Sequence, residues 1–264
     1  MKRLITSLVL VFFGISVFSQ PSGRKMPVTA ASGSALSLYT KAMGYYDDVN
    51  IEKAKETFED ALREDPDLFM ANYQLAMYYL MNESPEEFMR YSDEAINCKS
   101  KLDAGEEILR EALSALRNRT ADVTEYGRRL VEMYPSDPNS YNSLISFQSL
   151  TGDIGGMVET VKKAISIADD PSPFYNQLGY GYLSLKEEEK AGEAFDKYIS
   201  LDPMNPNVYD SKGDYFMYVK EYDKAYESYI KAHLMDPSFS EEKARMAKQL
   251  YEKEKGRKLQ IIPM

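Results

Sequence analysis

The stretch "GEAFDKYISLDPMNPNVY" (Gly192–Tyr209) has two counterparts elsewhere in the chain. One is "YESYIKAHLMDPSFSEEK" (Tyr226–Lys243) and the other is "KETFEDALREDPDLFMAN" (Lys55–Asn72). In each of them an aromatic residue is followed seven residues later by Asp-Pro. The three Asp-Pro pairs begin at Asp65, Asp202 and Asp236. This recurrence predicts a protein that is built from repeated structural units.

The spacing of the Asp-Pro pairs gives the length of one unit. Asp202 and Asp236 are 34 residues apart, while Asp65 and Asp202 are 137 residues apart, which is four steps of 34 plus one. A period near 34 therefore fits the whole chain if one unit carries a single extra residue. We place that residue in the second of six units, which span residues 35–68, 69–103, 104–137, 138–171, 172–205 and 206–239.

Each unit has the apolar spacing of two helices. In the fifth unit Tyr175, Leu178 and Tyr182 fall on one face of a helix, because they stand at offsets of 0, 3 and 7. A polar break follows, and then Ala191 and Phe195 begin a second apolar stripe. A proline in the Asp-Pro pair ends the second helix, since proline cannot continue it. The pattern predicts an all-α fold of helix pairs.

The order of these residues resembles the tetratricopeptide repeat, whose pattern W-x2-L-G-x2-Y…A-x3-F…P describes a helix-turn-helix unit. The fifth unit matches at Leu178, Gly179, Tyr182, Ala191 and Phe195. The second to fourth units depart from the pattern at several of these positions. The resemblance implies a right-handed α-solenoid, in which residues 240–264 supply a capping helix and a tail.

The first residues of the chain have the features of a secretory signal. A basic start, an apolar run and a small-x-small site indicate a signal peptide over residues 1–19, cut between Ser19 and Gln20. An uncleaved anchor is the alternative, but the apolar run Leu4–Phe18 is shorter than the roughly 20 residues that cross a bilayer. Residues 20–34 are small and polar, which predicts a flexible leader. We expect a periplasmic or secreted protein of bacterial type without a membrane span after cleavage.

The composition limits the chemistry that the chain can carry. There are 42 acidic and 32 basic residues, and this net charge of −10 argues against nucleic-acid binding. With one Cys and one His, the chain offers neither a metal-ligand cluster nor a catalytic triad. Carboxylates are abundant, but nothing selects a catalytic pair. We therefore predict that the protein is not an enzyme and has no cofactor and no metal.

The resemblance also implies where a partner would bind. In the family, peptide ligands contact regularly spaced residues of the first helices along the concave face. The positions that we predict to bind a partner are Tyr39, Met43, Tyr73, Met77, Asn142, Asn176, Tyr180, Asp210 and Asp214. The first four would hold apolar side chains, and the asparagine amides would hydrogen-bond to peptide main chain. Asp210 and Asp214 would attract a cationic segment.

Three functions are compatible with these features. The first is a non-catalytic scaffold or adaptor in the cell envelope that binds a protein or peptide segment, apolar or cationic, along the concave face. The second is an accessory protein that handles carbohydrate or another substrate in an exported degradation or uptake system, because 21 tyrosines offer stacking surfaces. The third is weak self-association through an uncovered end of the solenoid.

Overall fold

A computed structural model of the chain describes residues 25–47 and 49–259. The predicted signal peptide, residues 1–19, lies outside the described residues. The same holds for residues 20–24 of the predicted leader and for residues 260–264 of the tail.

The described residues form thirteen α-helices and no strand, which confirms the all-α prediction. Twelve of the helices make six consecutive pairs, and the thirteenth follows the last pair. The helices are α1 (Gly33–Asp47), α2 (Ile51–Glu64), α3 (Phe69–Met81), α4 (Pro85–Ile96), α5 (Ala104–Asn118), α6 (Thr124–Met133), α7 (Pro138–Thr151), α8 (Ile154–Ile167), α9 (Ser172–Ser184), α10 (Glu188–Leu201), α11 (Pro206–Tyr218), α12 (Tyr222–Met235) and α13 (Glu241–Lys255).

Local chemistry explains where these helices begin and end. The α5 helix begins with a capping box, in which Asp103 accepts from the first turn while Glu106 accepts from the backbone N–H of Asp103. Helices α7 and α11 each have proline at the first helical position, where no N–H is needed. The residues Asp65, Asp202 and Asp236 are the C-caps of α2, α10 and α12. The repeated Asp-Pro pair thus marks the end of a second helix.

Glycines allow the two helices of a pair to approach closely. A Cβ atom on Gly179 of α9 would lie 2.6 Å from the ring of Phe195 in α10. A Cβ atom on Gly213 of α11 would clash with the ring of Tyr229 in α12 in the same way. Any larger residue at either position would push the helices of that pair apart.

The core runs along the solenoid rather than filling one centre. Its largest cluster runs through the first three helix pairs and reaches Phe147 in the fourth, and smaller clusters follow it towards the C-terminus. The final helix, α13, packs on α12 through Ala244, Ala247 and Tyr251, which are all buried. Because α13 covers the apolar side of the last pair, it acts as the cap of the solenoid.

The end of the predicted leader follows a defined path. Residues 25–32, which we call the leader segment, have no regular secondary structure and lead directly into α1. Met26, Val28 and Ala30 pack against the largest core cluster. Backbone and side-chain groups of the segment donate hydrogen bonds to three carboxylates of the solenoid. This arrangement differs from the flexible leader that the small, polar composition predicted, because composition does not register contacts with distant residues.

Candidate functional site

The groove between the helix pairs contains a cavity of about 440 Å³, which we call the groove cavity. The leader segment and the first helices of the first, second, fourth and fifth pairs supply most of its walls. Residues that line it include Met26, Val28, Tyr39, Met43, Tyr73, Met77, Asn139, Asn142, Asn176 and Gln177. Six of the nine predicted partner-binding residues therefore meet at one cavity.

The wall from the first and second pairs is apolar. Tyr39 and Tyr73 are only 7% and 4% exposed, and Met77 is 7% exposed. The ring of Tyr39 lies 5.7 Å from that of Phe58, and the ring of Tyr73 lies 5.9 Å from that of Phe69. Burial raises the pKa of both tyrosine hydroxyls well above the ordinary value. The core therefore holds both aromatic side chains, and little of their surface is exposed.

The wall from the fourth and fifth pairs carries amide side chains. The Nε2 of Gln177 donates to the Oδ1 of Asn142 at 3.3 Å. The Oδ1 of Asn176 and the Oε1 of Gln177 are buried and accept no hydrogen bond from any described residue. Buried polar atoms normally have a partner. Two residues that line the groove cavity therefore each carry an amide oxygen without a donor among the described residues.

The leader segment closes the groove over the third pair. The backbone N–H of Met26 donates to Asp137 at 2.7 Å, and that of Ala31 donates to Asp65 at 2.7 Å. Between them, the N–H of Thr29 donates to one oxygen of Glu106 at 2.8 Å. The hydroxyl of Thr29 donates to the other oxygen of Glu106. We refer to these three carboxylates as the carboxylate track.

Each carboxylate of the track also stabilises its own turn. Asp65 accepts from the N–H of Asp67, and Asp137 caps α7 by accepting from the N–H of Asn139. Glu106 accepts from the N–H of Asp103 in the capping box of α5. The local bond fixes the direction of each carboxylate, so that an oxygen remains available to the leader segment.

A glycine makes room for the leader segment on the third pair. A Cβ atom on Gly105 would lie 2.6 Å from the sulfur of Met26 and 2.8 Å from the ring of Tyr134. Ile108 and Ala112, on the same helix, are 3% and 0% exposed. The first helix of the third pair contributes no residue to the lining of the groove cavity, since the leader segment lies over it.

The other three predicted residues lie towards the C-terminal end, apart from the cavity lining. The Nζ of Lys243, in α13, lies 2.7 Å from Asp210 and 2.9 Å from Asp214. The hydroxyls of Tyr180 and Tyr229 donate to Asp214 at 2.8 and 2.7 Å. The cation that these two aspartates attract is thus part of the chain itself. Their role in partner binding stays a prediction, and we leave both out of the proposed contact surface.

Charge and burial set the proton affinities in this C-terminal cluster. Burial alone would lower the pKa of Lys243, but its hydrogen bonds and attraction to Asp210 and Asp214 raise it above the ordinary value. Burial and the nearby Asp214 raise the pKa of Tyr180 and Tyr229 well above the usual tyrosine range. At neutral pH the cluster therefore contains one ammonium, two neutral phenols and the two aspartates.

Sequence reasoning missed the carboxylate track and the leader segment that occupies it. We interpreted Asp65 only as part of a helix-ending Asp-Pro pair. A signal for the leader segment was present, because Met26, Val28 and Ala30 alternate with Pro27 and Thr29. Such a period of two is typical of an extended chain that buries one side.

The described residues contain no group of three or more His, Cys, Asp or Glu side chains that could hold a metal ion. Cys98 is a buried free thiol, and burial raises its pKa. His233 uses its Nδ1 in a 3.0 Å hydrogen bond with the carbonyl of Phe239, beside the start of α13. Within the described residues no helix is long and apolar enough to cross a membrane.

Comparison with known families identifies the repeated unit. Residues 172–205 match the profile of the tetratricopeptide repeat. These residues form a tetratricopeptide repeat. The matched range is the α9–α10 pair with its closing Asp-Pro turn, and five further helix pairs of the same period flank it. The tetratricopeptide-repeat fold suggests a scaffold for protein–protein interaction.

Solved structures include several helical-repeat proteins that are similar to this chain. A thermophilic TPR protein of Thermus thermophilus, TTC0263, is 18% identical, with 82% of this chain and 98% of that one covered and a TM-score of 0.49. PilW, a type IV pilus biogenesis factor, is 18% identical, with 82% and 99% covered and a TM-score of 0.49. MamA is 19% identical, with 77% and 96% covered and a TM-score of 0.41. No curated protein sequence matches the chain.

Proposed function

We propose that this tetratricopeptide-repeat protein is a non-catalytic adaptor of the cell envelope that binds an extended segment of a partner protein in its groove. The observation that carries the proposal is the leader segment, an extended chain that already lies in the groove and is held through its backbone N–H groups. A groove that holds one extended segment in this way has the chemistry to hold another.

The groove cavity beside the leader segment offers two kinds of contact to such a partner. Met43 and Met77 supply adaptable apolar surface for a side chain. The amide side chains of Asn142, Asn176 and Gln177, which line the cavity, supply donors and acceptors for main-chain groups. Recognition through main chain and one or two apolar anchors suits a peptide segment rather than a folded surface.

The envelope location is part of this proposal and rests on the amino-terminal sequence. The basic start, the short apolar run and the small-x-small site of residues 1–19 favour export with cleavage between Ser19 and Gln20. Fractionation of the native cells, followed by mass spectrometry of the protein's first peptide, tests this part. A cytosolic product that retains residues 1–19 would contradict it.

The second function considered, carbohydrate handling, gains little support from the groove cavity. Sugar binding by stacking needs an exposed aromatic face. Four tyrosines line the cavity, and three of them, Tyr39, Tyr73 and Tyr198, are buried. The rings of Tyr39 and Tyr73 pack against Phe58 and Phe69. Tyr46, which is 41% exposed, is the one cavity-lining ring with an exposed surface for stacking.

Crosslinking capture from native envelope extract tests the adaptor proposal. The bait is the tagged chain, and the test variant changes Asn142, Asn176 and Gln177 to Ala together. Asn118→Ala, on the exposed end of α5, is the matched control. We expect a protein that both the wild type and the control capture and the triple variant loses. Equal capture by all three baits would contradict binding in the groove cavity.

A further inference from the structure

The carboxylates of the track are almost fully buried and therefore need hydrogen-bond donors. Asp65, Glu106 and Asp137 are 4%, 0% and 1% exposed. A carboxylate removed from water is stable only when donors replace the lost hydration. Among the described residues no Lys, Arg or His forms a salt bridge with any of the three. The leader segment therefore supplies these carboxylates with hydrogen bonds from neutral donors.

The pattern of donors defines what kind of chain the track accepts. The bonds come from the N–H groups of residues 26, 29 and 31, and only one side-chain donor, the Thr29 hydroxyl, takes part. Pro27 has no N–H, and no carboxylate of the track accepts a hydrogen bond at its position. The track thus binds the main chain of an extended segment. Its one side-chain preference is a hydroxyl at the position of Thr29.

Packing adds two further preferences. The missing side chain at Gly105 leaves space that the thioether of Met26 fills. Val28 and Ala30 rest on the apolar core cluster. An acidic side chain in place of Thr29 would face Glu106 and be repelled. The favoured ligand is consequently an extended, uncharged segment with an apolar residue first, a hydroxyl three positions later and small residues after it.

The leader segment is bound in a way that permits exchange. Within the described residues, positions 25–31 make no backbone–backbone hydrogen bond, and all their bonds go to side chains of the track. Pro27 and Ala31 are exposed, while Met26, Val28, Thr29 and Ala30 are only half-buried. Segments with few buried contacts and no regular structure detach at a free-energy cost well below that of global unfolding.

We propose that the carboxylate track is a peptide-binding site whose tethered ligand is the leader segment, and that a partner segment of the same chemistry exchanges with it. This proposal rests on the proposed function, because it names the class of segment that the groove binds. Occupation of the track by the leader segment would make partner binding conditional on release of that segment.

Docking of the leader segment is tested by limited trypsin cleavage of the Lys25–Met26 bond in the full chain. The N–H of Met26 is engaged by Asp137, so the docked bond is protected. Thr29→Val removes the hydroxyl donor to Glu106 without changing the solenoid, and Thr120→Val, at an exposed position in the loop after α5, is its control. We expect cleavage about tenfold faster in T29V, the effect of one hydrogen bond to a charged group. Equal rates in all three proteins overturn the proposal.

Exchange is tested with a fluorescent synthetic peptide of residues 23–34, "GRKMPVTAASGS". We expect the full chain with Met26→Asp and Thr29→Asp to bind this peptide at least about tenfold more tightly than the wild type, since its own leader segment is repelled from the track. Adding Glu106→Gln to that chain should weaken the binding again. A folded double variant that does not bind the peptide would overturn exchange.

Hydrogen exchange of the wild-type chain gives a measurement that needs no variant. Excess unlabelled peptide should speed the exchange of the Met26, Thr29 and Ala31 amides, and unchanged protection of these amides would overturn the proposal. Partner capture plays no part in these experiments. The adaptor proposal and the exchange proposal can therefore fail independently.

Discussion

Both terminal segments of the described chain cover part of the solenoid, but they do so by different chemistry. At the C-terminal end a helix, α13, packs through Ala244 and Ala247 and places Lys243 on two carboxylates. The leader segment, which precedes α1, lies in the groove over the third pair and gives backbone N–H groups to three carboxylates. The ammonium of Lys243 neutralises the carboxylates at α13, whereas the leader segment gives its carboxylates only hydrogen bonds from neutral groups.

This difference separates a structural cover, α13, from the leader segment, which we propose to be exchangeable. A helix satisfies its backbone internally, so α13 needs only its apolar face and one ammonium to remain in place. The leader segment satisfies part of its backbone through the carboxylate track. Any other extended segment can supply the same N–H groups. The groove that the leader segment occupies is therefore suited to binding, and α13 to closing the repeat array.

The largest effect that we expect comes from breaking the C-terminal cover. Ala247 is 0% exposed on the buried face of α13, and Ala247→Asp would bury a charge with no partner. The free energy of unfolding should fall by about 3–5 kcal/mol, the usual cost of an uncompensated buried charge. Urea unfolding followed by circular dichroism measures the change. Gln249→Asp, at an exposed position of the same helix, is the control and should change stability little.

A smaller loss is expected when the N-terminal cover is weakened. Glu106→Gln keeps the shape of the side chain and its capping function. It weakens the bonds from Thr29, because a neutral amide oxygen replaces a charged one and an amide N–H₂ donor replaces the second acceptor oxygen. We expect a loss of about 1–3 kcal/mol in unfolding free energy. Glu107→Gln alters the adjacent, partly exposed carboxylate and should cost much less. Equal losses in the two variants would show that Glu106 does not anchor the leader segment.

Removal of the ammonium at the C-terminal end should have a still smaller effect that depends on pH. Lys243→Met leaves Asp210 and Asp214 with hydroxyl donors from Ser240, Tyr180 and Tyr229. Because the Lys243 side chain is 44% exposed, solvent screening limits the loss to about 1 kcal/mol at neutral pH.

The pH dependence follows from the pKa of Lys243 in the folded protein. Burial lowers this pKa, but the bonds to Asp210 and Asp214 outweigh burial and raise it above the ordinary value. A raised folded pKa means that the stabilisation is complete below the unfolded value of about 10.5 and is lost as pH rises above it. The difference between wild type and Lys243→Met should be constant from neutral to mildly basic pH and shrink beyond that value. A difference that grows with pH would contradict the ion-pair role of Lys243.

The smallest effect is expected in the groove cavity between the two ends. Asn176 contributes a buried oxygen without a donor, and Asn142 is held by one long bond from Gln177. Changing both asparagines to Ala should alter the unfolding free energy by about 0.5 kcal/mol or less. The same variant should lose partner capture. A large loss of stability would instead assign these amides to the architecture of the solenoid.

The sequence by itself determined the repeating architecture. The 34-residue period places the unit boundaries at Phe69, Ala104, Pro138, Ser172 and Pro206, and α3, α5, α7, α9 and α11 begin at these residues. The small residues Gly179 and Gly213 lie at the close helix contacts that the repeat requires. These features are encoded by neighbours within one unit, so periodicity and propensity suffice to predict them.

Only the tertiary structure decided what the terminal segments contact. The leader segment reaches Asp65, Glu106 and Asp137 across 34, 77 and 111 residues of sequence, and Lys243 reaches Asp210 and Asp214 across 33 and 29. A periodic pattern specifies how each unit packs on the next, but it does not specify which non-repeated segment fills the groove. That choice depends on where buried carboxylates lack donors once the helices have stacked, and this is a property of the assembled solenoid.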